Sequence, residues 1–209
     1  MANILSVLRQ DHENMSQLLD ALERQIEAFD RGERPDLEIV LAIAEYILEY
    51  PDRFHHPAED LVLDAVRQRD AAAAKPAEGL ESEHARIGQL ARDFGKAVET
   101  WISDEPALRA DVLDATRSFI AAMRDHIAHE DREFFPAVEA VLSDDDLDQL
   151  NDRLPKLDDP LFGAANRDSY VRLRQNILEW SKEGATGAKS KASKPASVMP
   201  ALPASMLLI

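Results

Sequence analysis

Apolar residues recur at helical spacing along almost the whole chain, and glycine is scarce. The pattern predicts a first helix over residues 3–30, closed by "RGERP", where Gly32 and Pro35 break it. A second covers residues 36–70; Pro51 and Pro57 fall inside it and predict a kink, because proline removes a backbone donor and crowds the preceding turn. A third runs over residues 77–102. "SDEP" then introduces a fourth over residues 105–142, with Ser103 or Asp104 as its N-cap. Four long helices joined by short loops predict an all-α fold, an up-down-up-down four-helix bundle.

"SDDDLDQL" predicts a short fifth helix and "DSYVRLRQNILEWSKE" a sixth that packs outside the bundle. From Gly184 the composition turns to Ala, Ser, Lys and Pro, the pattern of a disordered tail. The expected organisation is a bundle over 1–145, a helical extension over 146–183 and a tail over 184–209.

The candidate chemistry lies on the apolar faces. His12 falls in the row Leu5, Leu8, His12, Met15, Leu19, Leu22, Ile26, and His84 in the row Leu80, His84, Ile87, Ala91, Phe94, Val98. In the fourth helix, Phe119, Met123, His126, Ile127, Glu130, Phe134, Val138 and Val141 make one stripe with two polar residues inside it. In the second, "RFHHPAEDLVLDAV" places two histidines four residues ahead of two acids. The row through His55 and Glu59 continues to Val62 and Val66; that through His56 and Asp60 continues to Leu63, Asp64 and Arg67, a polar edge. His55 with Glu59 is therefore expected to face inward, and His56 with Asp60 to flank it. His129 and Glu133 share their face with Asp125 and Arg132 and are expected to flank in the same way.

Residues four apart on a helix stand side by side, so a His–Glu pair can grip one ion together. Isolated buried carboxylates are costly unless paired or bound to metal. At ~1.5 Å per residue, His12 and His84 sit roughly 14 and 10 Å from one end of the predicted bundle. On the same scale His55 and His126 sit roughly 22 and 24 Å from that end, with Glu59 and Glu130 about 6 Å nearer it. All six groups can share a layer, and four imidazoles with two carboxylates suit a pair of ions.

Composition narrows the metal and the partners. The chain has no cysteine, which excludes disulfides, thiolate sites and thiol catalysis. Imidazole and carboxylate ligands point to iron, manganese or zinc. A net charge of −16 makes nucleic acid a poor partner. No apolar run is long enough to span a bilayer, and "MANILSVLRQDHENM" has no signal-peptide pattern, so a cytoplasmic protein is expected.

"RQDHENM", "FHHPAEDLVL", "ESEHARI" and "HIAHEDREFFP" together resemble the haemerythrin-like (HHE cation-binding) family over about residues 1–145. The resemblance implies a non-haem di-iron centre. His12, His55, His84 and His126 would be its imidazole ligands, two per iron, and Glu59 and Glu130 its bridging carboxylates, with an oxo or hydroxo group between the irons. The oxygen carriers of the family have a further histidine one turn earlier on the third helix, where this chain has Leu80. They also place an aspartate five residues after the fourth-helix histidine. Asp131 stands there beside Glu130, so either acid can be the ligand. The ligand set resembles the family's sensor and nitrosative-stress branch more than its oxygen carriers. The expected ligand is O2, NO or peroxide, with Met15, Ile87, Phe119 and Met123 as pocket walls. A metal store or carrier for iron, zinc or manganese is the alternative, and oligomeric state is left open.

Overall fold

A computed structural model describes residues 3–103, 109–155, 159–163 and 170–186, with side chains as far as residue 180. Among these residues the chain is all-helical. The helices are α1 (Ile4–Asp30), α2 (Leu37–Tyr50), α3 (His56–Arg69), α4 (Leu80–Ile102), α5 (Arg109–His129), α6 (Phe135–Val141), α7 (Asp144–Arg153) and α8 (Val171–Thr186). Local chemistry sets several of the limits. Asn3 caps α1 by accepting the Ser6 amide at 3.0 Å, and Asp36 caps α2 by accepting that of Glu38 at 3.2 Å. Ser143 and Asp146 form a reciprocal capping box on α7. Gly32 and Gly79 adopt φ of 81° and 103°, where a side chain would be strained. Ser103 sits at the C-terminal end of α4 and gives its hydroxyl to the Glu99 carbonyl; the alternative N-cap, Asp104, lies outside the described residues. The tail beyond 186, including "SMLLI", also lies outside them.

Two long helices expected from the sequence are each divided by a turn of π-helix, Pro51–His55 between α2 and α3 and Glu130–Phe134 between α5 and α6. The cause is the same in both. Pro57 and Pro136 follow directly on the residues that close these turns, and neither can donate to the carbonyl four residues back. The preceding amides reach one residue further instead, His56 to Pro51 and Phe135 to Glu130. The kink expected at the prolines of the second helix is thus a π turn, and the fourth helix carries a counterpart beyond that expectation. Each extra residue turns the following helix by about 100° relative to an unbroken α-helix.

The buried apolar residues form two separate cores. One contains Met15, Leu22, Ile43, Phe94 and Phe119; the other contains Ile4, Leu8, Val62, Phe135 and Val138. Along α1 the change comes between Leu8 and Met15, and along α4 between Leu80 and Ile87. Along α2–α3 it comes between Tyr50 and Val62, and along α5–α6 between Ile127 and Phe134. In every case a candidate histidine or glutamate lies in the gap. The segments after α6 join both cores, Leu147 and Leu150 one and Leu161, Tyr170, Leu173 and Ile177 the other. The sixth predicted helix corresponds to α8, which lies against α1 and α2.

Helices α2 and α4 approach closely at Gly95, where a β-carbon would meet Leu48 Cδ1 at 3.1 Å. Gly95→Leu is expected to lower stability by about 1–3 kcal/mol through overpacking, read as a lower midpoint in denaturant melts.

Candidate metal centre

The gap between the cores is filled by nitrogen and oxygen. His12, His55, Glu59 and Glu130 form one buried cluster, and His56, Glu59, His84 and His126 form a second; within each, one donor atom per residue lies within 4.8 Å of the others. Glu59 belongs to both. Its Oε1 is 3.2 Å from His55 Nε2 and its Oε2 is 3.4 Å from His84 Nε2. Glu130 spans the clusters as well, with Oε2 at 3.1 Å from His12 Nε2 and Oε1 at 3.5 Å from His126 Nε2.

All six residues expected from the sequence are brought together, and a seventh joins them. His56 is 8 % exposed and directs its ring into the second cluster, stacked on His84 with centroids 4.0 Å apart. This corrects the expectation that it flanks the site. Consecutive residues of an α-helix cannot both face one layer easily; the π turn ending at His55 lets both do so. The signal available in the sequence is Pro57 directly after the pair. His56 also supplies a fifth imidazole where Leu80 removes one from the oxygen-carrier pattern. Asp60 and Glu133 are exposed as expected.

Carboxylates fix the imidazoles from behind. Nδ1 of His12 lies 3.0 Å from Asp131, that of His55 3.2 Å from Asp11, that of His56 3.0 Å from Asp52 and that of His126 3.2 Å from Glu83. Glu83 also meets His129 Nδ1 at 3.3 Å, so His129 belongs to this outer layer. Such backing holds the ring and the tautomer, leaving Nε2 free to bind. Of the two acids left as alternatives, Asp131 stands beside His12 Nδ1 and Glu130 lies in the first cluster. The sequence does not single out Asp11 and Glu83, which reach their histidines from other helices, whereas Asp52 stands four residues before His56, a spacing that could have found it.

Nine buried side-chain atoms among the described residues have no hydrogen-bond partner: Nε2 of His12, His55, His56, His84 and His126, and both oxygens of Glu59 and Glu130. Every one belongs to the two clusters. Their approaches of 3.1–3.6 Å lack hydrogen-bond geometry, as expected for donors arranged around common points rather than toward one another. Leaving so many buried polar atoms unpaired is costly, and bound cations would satisfy all of them.

The electrostatics are uneven. Burial opposes charge on His55, but Glu59 and Asp11 outweigh it and hold the imidazole well above its usual range. Burial likewise opposes charge on His84, and the Glu130 and Glu59 carboxylates raise it. Burial and the neighbouring imidazoles push His56 down to about 2, and burial lowers His126. Burial raises Glu59, while at Glu130 it is outweighed by His12, His84 and His126, which hold that carboxylate below its usual range.

The model of the haemerythrin HHE cation-binding domain matches residues 3–138. The chain belongs to this family. Neither the comparison with curated proteins nor that with solved structures gives a significant match. The haemerythrin match spans both clusters and ends at Val138, before α7 and α8. No helix among the described residues is long and apolar enough to cross a membrane.

Proposed function

We propose that this haemerythrin-family chain is a non-haem di-iron protein that binds O2, NO or peroxide as a sensor, scavenger or store. The observation that carries the reading is the set of nine unpartnered buried donors in two clusters that share Glu59. In this reading His12 and His55 hold one ion, His56, His84 and His126 hold the other, and Glu59 and Glu130 bridge them. The alternating order of the two cores along successive helices supports the up-down-up-down bundle that this arrangement needs. Two six-coordinate ions have about twelve positions, so nine protein donors leave room for a small ligand. A ferrous pair supplies electrons to such a ligand; the chain's residues position the ions, exclude water and shape the access.

A cavity of about 200 Å³ has room for a small ligand. Ile87, Phe119 and Met123, three of the expected walls, line it together with Gly88 and with Asp52, the partner of His56. Met15 does not line it. A β-carbon on Gly88 would meet only the end of Arg92, so Gly88→Leu is expected to fill this space without disturbing the clusters. Stopped-flow mixing should show slower ligand binding at unchanged metal content.

The test of the reading is elemental analysis of the purified protein, followed by optical spectra after anaerobic reduction and exposure to O2, NO or peroxide. Two irons per chain and ligand-dependent charge-transfer bands are expected. Bound metal without such bands would favour storage or delivery of iron, zinc or manganese. An open cleft beside His12 and Asp131 would then be the exit.

A further inference from the structure

The chain contains three tyrosines, and all three lie in one buried group on one side of the candidate metal centre. Tyr46 and Tyr50, one turn apart on α2, stack with ring centroids 4.9 Å apart and planes at 18°. Tyr170, beyond the family-matched segment, meets Tyr46 edge-on at 6.2 Å. Carboxylates stand at both ends of the stacked pair. The Tyr50 hydroxyl donates to Asp11 Oδ1 at 3.1 Å, and Asp11 Oδ2 lies 3.2 Å from His55 Nδ1. The Tyr46 hydroxyl donates to Asp159 Oδ2 at 2.8 Å. Asp159 is itself held in place, its Oδ1 accepting the amides of Leu161 and Phe162 at 2.8 and 2.7 Å.

From these contacts we propose that Tyr46 is a redox-active residue, delivering single electrons through Tyr50 toward His55 while passing its phenolic proton to Asp159. A phenol that loses an electron becomes a very strong acid, so its oxidation goes readily only where a base already holds the proton. Asp159 is that base. Burial shields the resulting radical from solvent, since Tyr46 is 1 % exposed. The close parallel stack gives a short step to Tyr50, which is hydrogen-bonded into the shell of the candidate ligand His55.

The electron and proton leave Tyr46 together: the O–H bond breaks, the proton binds Asp159 Oδ2 and a neutral phenoxyl radical remains. The oxidant is peroxide, which needs two electrons and two protons to become two waters, so each peroxide draws on two such events. Between them the phenoxyl takes its proton back from Asp159 and an electron, passed through the protein, from an outside thiol, whose own proton goes to solvent and on to the peroxide while the two thiyl radicals pair. Over a cycle one hydrogen peroxide and two thiols become two waters and one disulfide. The peroxide half rests on the di-iron reading; the oxidisable Tyr46–Asp159 pair does not.

Two experiments on the full chain separate these parts. In the first, metal-free protein is flashed with a ruthenium tris-bipyridine photosensitiser and a sacrificial acceptor, frozen, and examined by electron paramagnetic resonance. A neutral tyrosyl signal is expected, lost in Tyr46→Phe and several-fold weaker in Asp159→Asn. Circular dichroism serves to verify that both variants are folded. No tyrosyl signal, or one unchanged in folded Tyr46→Phe, would overturn the proposal. In the second, iron-loaded protein is mixed with hydrogen peroxide and freeze-quenched. The same radical is expected, again lost in Tyr46→Phe and diminished in Tyr50→Phe. Iron-loaded protein that gives no radical overturns the link to the metal centre. A chain that binds no iron overturns the di-iron reading, and the first experiment then decides the Tyr46–Asp159 pair by itself.

Discussion

Glu59→Leu is expected to abolish binding of both ions at once. Glu59 is the one residue common to the two four-residue clusters, with one oxygen facing His55 and the other facing His84. A substitution confined to one cluster, such as His56→Ala, should weaken one position far more than the other. The metal-free protein should respond in the opposite sense. Both Glu59 oxygens are buried without a hydrogen-bond partner, and burial raises the carboxyl above its usual range. At alkaline pH, where His55 and His84 are neutral and no longer need its charge, replacing such a group with an apolar side chain of similar size is expected to be neutral or to stabilise the stripped chain, by about 1–3 kcal/mol. Elemental analysis and denaturant melts of loaded and stripped protein measure the two effects. Retained metal in Glu59→Leu would remove the basis for a shared site.

Metal loading is expected to reverse the pH dependence of stability above neutrality. In the stripped protein His55 and His84 are raised above their ordinary 6.5. A raised imidazole contributes stability that is present in full below 6.5 and is lost as pH rises through its folded value. Stripped protein should therefore lose stability from about pH 7 upward. On the acid side the sign is opposite. His56, held down at about 2, and His126, also lowered, bind fewer protons folded than unfolded between their folded values and 6.5, so stability falls there as pH drops. Metal requires neutral imidazoles, so loading expels the protons on His55 and His84. Affinity should fall about tenfold per pH unit for each proton displaced, and stability of the loaded form should hold or rise above pH 7. Melts of both forms from pH 5 to 9, with proton release on loading in weakly buffered solution, check the sign. Equal pH profiles for the two forms would rule out imidazole ligation.

Much of the centre is legible in the sequence because a polar residue inside an apolar stripe stands out. His12, His84, His126 and Glu130 show themselves this way, and so do His55 and Glu59 once the row to Val62 and Val66 is followed. Stripe counting fails where the helical period is broken. His56 is buried because the backbone gains a residue just ahead of it, and a phase count across Pro57 places it wrongly. The outer acids are illegible for a different reason. Asp11 and Glu83 reach their histidines across helix–helix contacts, whose registry local spacing does not set. The tyrosine stack looks like ordinary core at the sequence level, and only the positions of Asp11 and Asp159 give it a polar end on each side. Family membership is legible from four short motifs, because together they set histidines and acids on four separate helical segments.

The division of the apolar interior into two cores bears on how the molecule melts. Stripped of cations, the two blocks meet across a seam of unpaired polar atoms and are linked mainly by the continuity of the helices. Such a seam transmits little cooperativity, so amide protons on its two sides should exchange with separate opening energies. Once ions tie the four segments together at mid-height, the blocks should open as one. The cations would then act as the rivets of the fold.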